Sequence, residues 1–184
     1  MEKSTLLVID TLKGKLLEFP TLVDQLEQKN YKFLDQLLSW IKELEVIFKN
    51  NNLSNVAQLA GWRSKIIAPK YALEHLKQKR KAQWSVAAEA LFELQNIVMS
   101  ILEPKEAKVE EARNLVRQLF GALSQANAVK YQPGSDFQQF VNQLWKIMDT
   151  HPQLKGGAAQ IKALLPRLDI LRVMSEEIEL EDWV

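Results

Sequence analysis

Six prolines and very little glycine set the limits on this chain. Pro20, Pro69, Pro104, Pro133, Pro152 and Pro166 are its only prolines, and the stretches between them are rich in Leu, Glu, Gln, Lys and Ala. Proline breaks a helix interior by removing a donor and clashing with the preceding turn, whereas those other residues are strong helix formers. Apolar residues recur at steps of three, four and seven, the period of an amphipathic helix. The pattern predicts an all-α protein, an antiparallel bundle of about six to eight helices with long central helices. It is read as a single helical-bundle domain over residues 1–174 followed by an acidic tail at 175–184.

The prolines and capping residues divide the chain further. Ser4 or Thr5 caps a first helix along Leu6, Ile9, Leu12 and Leu16, which Pro20 should end; residues 5–9 would alternatively form a short strand. Thr21 with Asp24 resembles a capping box for a helix over residues 22–49, and Asn50, Asn51 and Asn52 break it. A shorter helix follows along Val56, Leu59 and Ile66. The clearest helix covers residues 71–102, with a heptad seam that includes Leu73, Leu76, Trp84, Leu91 and Val98 and is interrupted by Arg80. Pro104 suits the first position of a new helix over 105–128, so Glu103 and Pro104 should form a hairpin or a sharp kink. Ser135 with Gln138 caps a helix that ends at His151, Gly156 and Gly157 read as a flexible joint, and Pro166 kinks or starts the last helix. The heptad seam fits an intramolecular hairpin as well as a dimer, so it does not fix the oligomeric state.

Composition removes several classes of function. There is no cysteine, so disulfides, thiolate metal sites and cysteine nucleophiles are excluded. No carboxylate–histidine pair stands at metal-binding helical spacing, no Gly-rich phosphate loop occurs, and neither histidine has a local partner that marks a catalytic triad. Neither a cofactor nor a metal is expected, and the chain is read as non-enzymatic. The net charge of +1 argues against a bulk polyanion binder while leaving room for a local basic patch. Leu6, Leu7, Val8 and Ile9 are cut short by Asp10, too few for a secretory core, and no uncharged apolar run approaches the ~20 residues of a membrane span. The expectation is a soluble cytoplasmic protein with no membrane contact.

Two segments are candidate contact surfaces. Between residues 61 and 84 the cations Arg63, Lys65, Lys70, Lys77, Lys79, Arg80 and Lys81 face Glu74 alone. A helix charged nearly all round at its start cannot be fully packed there, so its first turns should project or line a groove. Trp62, Tyr71 and Trp84 flank those charges, and rings beside cations suit bases and phosphates. The bland alternative is a solvated face with Arg80 paired to a carboxylate. The acidic tail interleaves Ile178, Leu180, Asp182, Trp183 and Val184 with further carboxylates, a pattern suited to a partner's backbone nest or sheet edge, or to masking the basic run. Here the alternative is a frayed terminus with Trp183 tucked against its own domain.

Two resemblances are short. His151-Pro152-Gln153-Leu154-Lys155-Gly156-Gly157 resembles the histidine phosphotransfer motif, which places His, one residue and then Leu-Lys-Gly on an exposed face of a four-helix bundle. Here two residues precede Leu154, and Pro152 breaks the helical register that such a site requires. Arg113-Asn114 resembles the start of the active motif of HEPN-class helical ribonucleases, but Phe120 stands where their histidine would be, which rejects that activity. The reading is therefore a non-catalytic interaction module or small subunit of a larger protein assembly. The alternative is a nucleic-acid-binding subunit that uses the 63–81 patch, with phosphotransfer at His151 more remote.

Overall fold

The computed structural model describes residues 3–72, 75–126, 129–132 and 134–183. They form an all-α helical bundle: α1 (Thr5–Glu27), α2 (Phe33–Asn50), α3 (Val56–Ile67), α4 (Pro69–Ala72), α5 (Leu76–Gln125), α6 (Phe137–Thr150), α7 (Lys155–Leu164) and α8 (Arg167–Glu177). A single 3-10 turn, Leu180–Trp183, follows α8. The chain divides into two compact units, Val8–Pro104 and Met1–Leu7 with Lys105–Val184, so α1 and α5 each contribute to both.

In the Val8–Pro104 unit, α1 runs through Pro20 instead of stopping there. The break comes later, at Lys29, which takes a left-handed φ of 52°. The Asn30 amide reaches back to the Gln25 carbonyl at 2.9 Å and the Lys29 amide to Leu26 at 3.1 Å, the two bonds of a Schellman stop. The expected single helix over 22–49 is therefore two. A second Schellman stop ends α2, with Asn52 left-handed and the Leu53 amide bonded to Phe48 at 2.9 Å, where the asparagine run marked a break. Leu12, Phe33, Leu37, Ile41, Leu44, Phe48, Leu59, Ile66 and Leu94 are fully buried and form the core. Trp84 packs its ring on Phe33 at 4.9 Å between centroids, and Trp40 packs on Phe19 at 5.7 Å.

The largest departure from the sequence reading lies at Pro104, where neither a hairpin nor a new helix forms. The α5 helix is continuous for 50 residues with Pro104 inside it. Proline removes one hydrogen bond to the Ser100 carbonyl, but side-chain packing outweighs that loss. Eight buried residues, Leu91, Leu94, Val98, Leu102, Val109, Ala112, Val116 and Leu123, keep one phase across the proline, with Ala90 and Ile97 buried beside that stripe. At 100° per residue those eight fall within about 40° of a single line. α5 also holds an 18-residue stretch that could cross a membrane by length and composition alone. Within α5, Ala87, Ala90, Leu94 and Val98 are fully buried, while Phe92 is exposed.

In the second unit, Asp136 caps α6 by accepting the Gln138 amide at 2.8 Å, and Ser135 instead donates to the Gln132 carbonyl. Pro133 lies outside the described residues. The glycines expected to be a joint sit inside α7, where a Cβ on Gly157 would lie 3.0 Å from Leu119 Cδ2, so the missing side chain allows a close approach. Pro166 starts α8 from its N-cap position. Asp169 of α8, 1% exposed, accepts the Ser4 hydroxyl at 2.6 Å and the Thr5 and Leu6 amides at 2.5 and 3.3 Å. One carboxylate thus satisfies the first donors of α1, which have no helical partner of their own.

Candidate binding groove

The basic run does not act as one patch. Arg63 donates to Glu45 at 2.7 Å, and that hydrogen bond raises its already high pKa. The Lys65 ammonium sits 4.4 Å from the centre of the Trp62 ring. Both are occupied by neighbours within their own unit. The remaining expected residues, Lys70, Lys77, Lys79, Arg80, Lys81 and Trp84, come together on the wall of one open groove of about 1450 Å³ in the Val8–Pro104 unit. The first turns of α5 line this groove.

Local chemistry explains why these side chains remain open. Lys77, Arg80 and Lys81 surround the start of α5, and burying them unpaired would cost more than the helix could recover. The α5 stripe becomes buried only from Ala87 onward. Arg80 is exposed, and its guanidinium donates to the Tyr31 carbonyl at 3.0 Å rather than to a carboxylate. Gln83 donates to the Ile66 carbonyl at 3.1 Å, which ties α5 to the end of α3. Leu73 and Glu74, expected at the start of this helix, lie outside the described residues.

The sequence reading missed the opposite wall. Lys29, Tyr31, Leu34, Asp35 and Leu38 line it, supplied by the α1–α2 connection and the first turns of α2. Reading 22–49 as one helix hid this loop. Six cations therefore surround one concavity, with Asp35 the single carboxylate among its described lining residues. Among the described residues none of the six makes an ion pair. Tyr31 is 68% exposed, Tyr71 78% and Leu76 84%, so the mouth of the groove is aromatic and apolar as well as basic.

The acidic C-terminal segment is folded onto its own unit. Trp183, expected on a partner-binding tail, is buried; its ring meets Phe120 and Phe140 edge-on at 5.5 and 5.7 Å. Its carbonyl accepts the Tyr131 amide at 2.6 Å. Glu177 is held by Arg113 at 2.6 Å and Arg117 at 2.5 Å, and Arg113 also meets Glu176. Burial pushes the Glu177 carboxyl up, but hydrogen bonds and charge from Arg117 and Arg113 outweigh it and leave the pKa lowered. Ile178 is half-buried, Leu180 and Asp182 are exposed, and Val184 lies outside the described residues.

His151 caps the C-terminus of α6 with extended backbone, and its Nδ1 accepts the Gln153 amide at 3.4 Å. It therefore sits between helices, while Lys155 begins α7, so the one-helix register of a phosphotransfer site is not built. Among the described residues no group of three or more His, Asp or Glu could hold a metal ion. These features define an all-α helical bundle carrying an open groove that is basic and aromatic. Comparison with protein-family models, curated proteins and solved structures finds no match to this chain.

Proposed function

We propose that this chain is a non-catalytic interaction module, a small subunit of a larger assembly, whose contact surface is the groove between the α1–α2 connection and the start of α5. Its ligand is an anionic macromolecule. The observation that carries this reading is the convergence of Lys29, Lys70, Lys77, Lys79, Arg80 and Lys81 on one concavity, without ion-pair partners among the described residues. Like charges held together repel one another, and an anion entering the groove relieves that repulsion while being steered in by the field. The chain as a whole carries only +1, so the groove is far more basic than the chain average.

The test is a fluorescence-anisotropy titration of labelled single-stranded oligonucleotides and a labelled acidic amphipathic peptide. It compares the wild-type protein with the triple variant Lys77→Glu, Arg80→Glu, Lys81→Glu. At least one probe should bind the wild type in a salt-sensitive way and lose its binding in the variant. If neither probe binds, or if binding survives the charge reversal, the groove is a solvated face.

A further inference from the structure

We infer that the groove's ligand is a single strand of nucleic acid, with its phosphates on the cations and its bases against the tyrosine rings; this rests on reading the groove as an anion-binding surface. The rings are the first reason. Tyr31 and Tyr71 approach the groove from different elements, and both are largely open to solvent. Neither ring belongs to the buried core, and each offers a face on which a base can stack. Each also lies beside a cation: the Lys32 ammonium is 5.7 Å from the centre of the Tyr31 ring, and that of Lys70 is 6.0 Å from Tyr71. A stacked base on either ring would carry its phosphate within reach of a positive charge.

The two exposed rings beside cations favour a strand over the main alternative, an acidic amphipathic helix. A helix docks by inserting aliphatic side chains into an apolar floor. Here Leu34 is buried and Leu38 and Ile67 are half-buried, so these aliphatics offer only part of their surface. Leu76 is the one strongly exposed aliphatic among the described lining residues. A ligand meets ring faces and charged heads beside these aliphatics. A duplex fits poorly for a different reason: its bases are already stacked on one another, so their faces are closed to Tyr31 and Tyr71. The bond from Arg80 to the Tyr31 carbonyl joins a cation of one wall to the ring-bearing loop of the other.

The experiment titrates labelled single-stranded RNA, single-stranded DNA, a duplex of the same length and an acidic amphipathic peptide. The proteins are wild type, Tyr31→Ala, Tyr71→Ala and the corresponding Phe variants. Single strands should bind at least about tenfold more tightly than the duplex, consistent with base stacking as the discriminating contact. Each alanine variant should lose roughly five- to 150-fold in affinity, the range for one stacked base, whereas phenylalanine should retain binding. Six cations limit the slope of log affinity against log salt to about −4 for a single strand. Both tyrosines are exposed, so the variants should melt like wild type, which separates lost binding from lost folding. A preference between RNA and DNA would show whether the 2′-hydroxyl contributes. If the peptide binds through the groove and the strands do not, the groove reading stands and this inference is overturned. If duplex and single strand bind equally and the alanine variants are silent, the contact is purely electrostatic and stacking is wrong. If no probe binds, both readings fall together.

Discussion

Replacing Trp183 with alanine is the most informative single change in the second unit. The ring is 3% exposed and lies edge-on against Phe120 and Phe140. Truncating a buried tryptophan costs about 3–5 kcal/mol, through lost burial plus the cavity left behind. The two aromatic contacts account for roughly 0.5–1.5 kcal/mol each within that total. In a chain of this size each kcal/mol moves the melting temperature by about 2–4 °C. Trp183→Ala should therefore lower Tm by roughly 6–20 °C, followed by circular dichroism at the helix band. Leu180→Ala, at a position 39% exposed, is the control and should shift Tm by no more than about 2–4 °C. If Trp183→Ala melts like wild type, the ring is not a structural anchor, and the C-terminal segment is free to serve a partner.

Three further outcomes follow from single contacts. Asp169→Ala removes the acceptor for the Ser4 hydroxyl and the Thr5 and Leu6 amides, and should cost about 2–3 kcal/mol by urea denaturation. Asp169→Asn should cost less, and equal losses would mean that the negative charge is irrelevant. Glu177 has a lowered folded pKa, so its stabilisation is present above the ordinary value of 4.5 and disappears as pH falls through the folded value. Glu177→Gln should flatten that acid limb of stability against pH, and an unchanged limb would assign the acid sensitivity to other carboxylates. Pro104→Ala restores a donor in the middle of a continuous helix and should raise stability by up to about 3 kcal/mol. A lower Tm would show that the proline fits a local bend that alanine spoils.

Much of the fold was legible because helix period and apolar phase are local signals. The stripes of α2 and α5 and the asparagine stop after α2 all read directly from residue types. The errors came where packing overrode punctuation. By residue type Pro20 and Pro104 read as breaks, yet α1 and α5 continue through them; around Pro104 the buried stripe keeps its phase, a signal present in the sequence that outweighs the proline. The opposite error came at Lys29, where the chain turns with a left-handed residue that is not glycine, so nothing in the residue type announced the break. That turn also hid half of the groove. Lys70 through Trp84 were legible as a charged helix start flanked by rings, whereas Lys29 and Tyr31 reach the same groove only through tertiary structure. Arg63 and Lys65 looked equivalent to the others, and only their distances to Glu45 and Trp62 set them apart. In the C-terminal segment the acidic run was plain, but Arg113 and Arg117 lie some 60 positions earlier, too far for any sequence pattern to pair them with Glu177.

The most direct measurement is lysine footprinting by acetylation and mass spectrometry, with and without a single-stranded oligonucleotide. Lys29, Lys70, Lys77, Lys79 and Lys81 line the groove and should be protected together by the bound strand. Lys155 and Lys162 in α7 belong to the other unit and should react as before. Protection confined to the groove lysines would establish the groove as the contact surface. Protection centred elsewhere, or none at a concentration where the strand is bound, would contradict it.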